Sequence, residues 1–145
     1  MAPDGLICSR LNEYFTQRPD VVAAILFGSV ARGDTRPDSD IDVGVLLTRE
    51  AAKKGINRSR LISEIIGVLG RNDVDVVILN TAPPLLLHRV VRDGHVVYAA
   101  DNGALAEFTI KAIQQYEDTK PLRELQRQRL QQRLVPAGRS RGAAP

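Results

Sequence analysis

"FGSVARGDTRPDSDIDVGV", residues 27–45, decides the fold. A glycine-serine turn, Gly28-Ser29, closes one apolar run, and the next opens with Asp40 and Asp42. Strands are ordinarily poor in aspartate, and burying an unpaired carboxylate is costly. Successive strand residues point to opposite faces, so Asp40 and Asp42 share one face, about 6.6 Å apart along the chain. Ile41 and Val43 take the other face, toward a core. Two like charges so placed raise each other's pKa unless a cation neutralises them. Hard divalent ions such as Mg²⁺ take one or two carboxylates and complete their shell with phosphate and water. The pair is therefore a natural half-site for Mg²⁺–phosphate chemistry.

The flanking residues supply the other half. Gly28 lets the backbone approach a ligand closely, and the turn after it offers free N–H groups suited to phosphate. Ser29 adds a hydroxyl, and Arg32, one turn on, is placed for a triphosphate. A third carboxylate comes from "RNDVDVVILN" (71–80), where Asp75 alternates with inward Val74 and Val76. Asp73 has the same parity but lies nearer the loop, so Asp75 is the preferred third acid.

Outward from this segment the pattern alternates helix and strand. Residues 4–18 read as an amphipathic helix stopped by Pro19. "DVVAAILFG" (20–28) has the continuous apolar character of a strand buried on both faces, and "DIDVGVLL" (40–47) is a second strand. A helix over 57–71, a strand over 74–79, a helix over 83–94 with Pro near its first turn and Gly94 at its end, and a short edge strand over 95–99 follow. A helix over 103–118, a break at Pro121 and a second helical run to Leu134 complete the reading. The Gly/Pro/Ala/Arg-rich end, 136–145, is predicted to be disordered.

Composition narrows the class. A chain of 145 residues with 43% apolar and 26% charged residues is one soluble domain with a core. Aromatics at 4%, with no Trp, argue against a stacking platform for bases. One cysteine, Cys8, cannot form an internal disulfide, which fits a reducing cytoplasm; its helical surroundings make it a small core residue. No apolar run reaches the roughly 20 residues of a membrane span, and no secretory signal is visible. The net charge of +3 is uneven: from Lys120 onward seven Lys/Arg face one Glu, whereas residues 1–119 carry 13 Lys/Arg against 16 Asp/Glu. A basic footprint across the fold, as direct nucleic-acid binding requires, is not supported.

Several motifs have plainer readings. Asp34 and Asp38 sit among turn formers, and "RGD" at 32–34 is a chance match. No GK[ST] occurs, so there is no P-loop. His88 and His95 lack metal-type spacing, and Tyr116 reads as a helix-face residue. Leu122, Leu125, Leu130 and Leu134 form an incomplete apolar stripe among arginines, best explained by a helix docking on a partner protein.

Gly28-Ser29, "ARGD" at 31–34 and Ser39-Asp40-Ile41-Asp42 together resemble the signature of the DNA polymerase β-like nucleotidyltransferases. With "DVDVVILNTAPPLLLHRVVRDGHVVY" (73–98), the chain is similar over about residues 20–100 to their minimal nucleotidyltransferase (MNT) branch, the MntA-type antitoxins of HEPN toxins. The resemblance implies an α+β fold, a small mixed β-sheet flanked by helices, with C-terminal helices. It implies a nucleotidyltransferase core over 1–100 and a partner-binding helical segment over 101–135. It implies transfer of AMP from ATP to a hydroxyl, with Asp40, Asp42 and Asp75 as catalytic residues holding two Mg²⁺ ions. Gly28, Ser29, Arg32 and Ser39 would bind the nucleotide. The acceptor would be a tyrosine of a cognate HEPN ribonuclease toxin, held in a cytoplasmic hetero-oligomer, and the basic end leaves room for an added contact with toxin or, through it, with RNA. The alternatives are transfer to a small aminoglycoside-type molecule, or neutralisation by binding alone.

Overall fold

The computed structural model describes residues 4–28, 31 and 40–143, with side chains of the last helix described as far as Arg133. Its elements are α1 (Gly5–Thr16), β1 (Val21–Phe27), β2 (Ile41–Leu47), α2 (Arg49–Lys54), α3 (Arg58–Leu69), β3 (Val74–Ile78), a 3₁₀ turn (Leu79–Thr81), α4 (Pro84–Asp93), β4 (His95–Ala99), α5 (Asn102–Asp118) and α6 (Lys120–Ala143). The four strands form one mixed sheet in the order β3-β2-β1-β4. β1 is antiparallel to both β2 and β4, and β2 is parallel to β3. The α+β expectation holds, and β4 is an edge strand as its length and composition indicated.

Past an irregularity between Val21 and Ala23, β1 alternates between two cores, because both sheet faces are covered. Val21, Ala24 and Leu26 join Val43, Val45 and Val76 beneath α1 and α3, where Leu11, Phe15, Leu61 and Ile65 are fully buried. Ala23, Ile25 and Phe27 point the other way, with Leu46, Leu79, Leu87, Val90 and Ala112, toward α4 and α5. Burying one such Leu, Ile or Phe contributes roughly 1.5–3 kcal/mol, so the two layers dominate the stability of the fold. At one corner, Arg18 reaches Asp20 and Glu64 at 3.0 and 2.9 Å, tying α1 and β1 to α3.

Local signals set the ends of the elements. Asp4, Asn57 and Asp101 cap α1, α3 and α5 through side-chain oxygens. Asn80 clamps the end of β2, accepting from Leu47 N at 2.8 Å and donating to Leu47 O at 3.1 Å.

Three features depart from the sequence reading. The six-residue α2 was not anticipated; the Thr48 hydroxyl, accepting from Ala51 N at 3.2 Å, starts it. Pro121 does not end a helix but lies in the first turn of α6, where its missing N–H costs nothing. Disorder was predicted from Pro136, yet α6 extends to Ala143; Pro136 and Gly138 are weak helix residues, and composition alone had argued for an end there. α6 meets the body at its first turn. There the Arg123 guanidinium lies 3.6 Å from the centre of the Tyr116 ring, which also stacks on His88 at 3.6 Å. Along α6, Leu122, Leu125 and Leu130 are 56, 43 and 57% exposed.

Candidate active site

The parallel register of β2 and β3 places Asp42 directly beside Asp75. On the other side Asp42 faces Phe27, the last residue of β1. Gly28 then turns the chain at φ 80°, in the left-handed region, and a methyl group built on it would overlap Asp42 Oδ2. Glycine is required at this position for both its backbone angle and its lack of a side chain. Asp40, exposed, lies just outside β2. The loop carrying it is anchored where Ile41 N donates to Asp73 O at 2.7 Å.

The electrostatics single out Asp42. Its carboxyl is half-buried and, among the described residues, accepts no hydrogen bond. Its pKa is pushed up to about 6, first by burial and then by the charges of Asp75 and Asp40. Asp75 is treated differently. Its Oδ1 accepts from Arg58 Nη2 and from Val76 N, and Arg58 Nε also donates to Val76 O at 2.5 Å. Asp73 is occupied by Arg71, which holds its carboxyl below the usual carboxylate range.

The sequence-predicted residues fall into two groups. Gly28, Asp40, Asp42 and Asp75 come together at one end of the sheet, whereas Ser29, Arg32 and Ser39 lie outside the described residues. Among the described residues no three His, Cys, Asp or Glu side chains form a ready-made metal cage. That arrangement suits Mg²⁺, which is held by one or two carboxylates together with substrate phosphates rather than by an all-protein shell. Asp42, raised in pKa first by burial and then by the charges of Asp75 and Asp40, is an acid whose ionised form a bound cation would favour. Sequence reasoning missed Arg58. No local signal marks it, because it meets Asp75 only once α3 packs against the sheet.

A mixed sheet that offers two carboxylates beside a glycine turn is the framework of a nucleotidyl-transferring protein. The chain belongs to the polymerase beta nucleotidyltransferase family, "Polymerase beta, Nucleotidyltransferase", which matches residues 9–103. It is 31% identical over 105 residues to Protein adenylyltransferase MntA of Aphanizomenon flos-aquae (strain 2012/KM1/D3), covering 68% of this chain and 70% of that protein. The fold is that of a chain in a crystal structure of a toxin–antitoxin with AMP-PNP (TM-score 0.72, 24% identity, 85% of this chain and 97% of that one). It is also that of a chain in the complex of tri-AMPylated Shewanella oneidensis HEPN toxin with MNT antitoxin (TM-score 0.68, 22% identity, 86% and 96%).

Proposed function

We propose that this chain is an antitoxin that transfers AMP from ATP to a hydroxyl of a cognate HEPN toxin, a tyrosine by analogy, and so silences it. The observation that carries the reading is the Asp42–Asp75 pair set against the Gly28 turn, in a chain related to a protein adenylyltransferase. Asp40 and Asp42 would hold Mg²⁺, with Asp75 completing the set; bound there with the nucleotide, two such ions would stabilise charge on the attacking and leaving oxygens of an in-line displacement. The backbone at Gly28, with Ser29, Arg32 and Ser39, would receive the phosphates. Asp75 would take the proton of the attacking hydroxyl, and Arg58, engaged on its Oδ1, would orient it. The products are an AMP-modified acceptor and pyrophosphate. The segment over 101–135 would contact the toxin, and the pair would act in the cytoplasm. No helix among the described residues is long and apolar enough to cross a membrane.

Incubating the chain with labelled ATP, Mg²⁺ and the product of the neighbouring gene tests this directly. The toxin should acquire AMP, and Asp42→Asn should abolish transfer. Protection of cells that survives Asp40→Asn/Asp42→Asn would instead establish neutralisation by binding alone.

A further inference from the structure

On the α4/α5 side of the sheet, at the end of β2 away from the carboxylates, lies a cleft of about 800 Å³. Its floor is apolar, with Leu46, Leu79 and Phe108 prominent, and its rim carries Arg49 and Lys53 from α2 and Lys111 from α5. The three cations are exposed and make no side-chain hydrogen bond or ion pair among the described residues. By contrast, Arg18, Arg58, Arg60, Arg71 and Arg92 each meet a carboxylate. Arg49 and Lys53 are four residues apart, so they project from the same side of α2. Asn80 holds the end of β2 in place beneath them. Glu107 is the only carboxylate on the rim among the described residues.

Asp42 and Leu46 share a face of β2, because side chains alternate, and four residues of strand separate them by about 13 Å. A molecule engaging both the carboxylates and the cleft must be extended, and it must bring negative charge together with apolar surface. We propose that the cleft is the docking site for the acceptor protein: it receives an acidic segment of the toxin, with an apolar side chain on the Leu46/Phe108 floor and carboxylates among Arg49, Lys53 and Lys111. Specificity for the acceptor would then lie at a distance from the reacting atoms, in residues that the transfer signature does not contain. This inference rests on the protein-acceptor reading above.

The test uses the full chain and the purified toxin of the neighbouring gene, with Lys53→Glu/Lys111→Glu as the main variant. The Kd for the toxin is expected to rise at least tenfold, as is the KM for the toxin in AMP transfer, with kcat and AMP-PNP affinity held within twofold. Lys53→Arg/Lys111→Arg should bind within twofold of the parent, and Glu107→Gln should tighten binding two- to threefold. Unchanged toxin affinity in the charge-reversed chain overturns the inference. So does a selective loss of AMP-PNP affinity, which would give the cleft to the nucleotide, or a change in the chain's own oligomeric state, which would give it to a second copy. A parent chain that binds toxin through these lysines but transfers no AMP would sink the enzymatic reading and leave the docking site standing.

Discussion

Asp42 is held where ionisation is unfavourable. Its pKa stands at about 6 against 3.8 for the free group. A carboxyl raised in this way adds to stability while it is protonated and subtracts as it ionises. In metal-free protein its contribution is complete below pH 4 and declines as pH rises through about 6. Asp42→Asn removes that penalty. In EDTA at pH 7.5 the variant should be more stable than the parent by about 1 kcal/mol, after allowance for solvent at a half-buried site, and the two should converge at pH 4. Denaturant melts at both pH values decide the matter, and equal stability at pH 7.5 contradicts it. Transfer should fall at least about a hundredfold in the same variant, as when a preorganised charge-stabilising group is lost. Gly28 is coupled to this carboxylate. Gly28→Ala incurs about 1–2 kcal/mol for the left-handed backbone, plus the overlap with Asp42 Oδ2. In an Asp42→Ala background only the backbone part should remain, so the two substitutions should be non-additive in a double-mutant cycle. Additivity would mean that the carboxylate can step aside at no cost.

At the scale of elements, the α3–β3 unit carries the next consequence. Arg58 and Asp75 are each about half exposed, with side-chain exposures of 52 and 50%. Such a pair contributes little to folding, so Arg58→Met should cost less than about 1 kcal/mol. Its effect belongs to the chemistry instead: with Asp75 released, transfer should slow about tenfold, the cost of a misplaced catalytic group, while the KM for ATP stays within twofold. A loss of stability without a loss of rate would make Arg58 purely structural. The strands were legible because a sheet covered on both faces writes itself as apolar runs, as in Val21–Phe27 and Ile41–Leu47. The meeting of Asp42 with Asp75 was legible because period-two alternation puts carboxylates of neighbouring strands on a common face. Arg58 was not, since its partner lies 17 residues away and is reached through tertiary packing. Nor was α2, whose six residues are too few to display a helical period. The break between α5 and α6 was placed at Pro121 but falls at Thr119, the cap of α5, because proline is tolerated in the first turn of a helix.

Across the whole molecule, charge and packing divide the chain in the same place. Residues from Lys120 onward carry six net positive charges, and residues 1–119 carry three net negative ones. α6 leaves Leu122, Leu125 and Leu130 exposed and is fastened at its start by Arg123, which donates to Tyr116 O at 2.7 Å and to Thr119 Oγ1 at 3.1 Å. The cation–π contact with Tyr116, between two half-buried side chains, adds about 1 kcal/mol. The described side chains after that contact, residues 124–133, are all exposed and therefore contribute little to the fold of the body. A chain ended after Glu124, which keeps Arg123, should melt within about 3 °C of the full chain, because less than about 1 kcal/mol of packing is removed. It should also bind AMP-PNP equally well. Toxin binding, in contrast, should weaken and lose part of its dependence on ionic strength, since the truncation removes Arg127, Arg129, Arg133, Arg139 and Arg141. Thermal melts paired with toxin titrations at low and high salt separate these effects. A Tm lowered by more than about 5 °C would make α6 part of the core, and an unaltered salt dependence would remove its arginines from the interface.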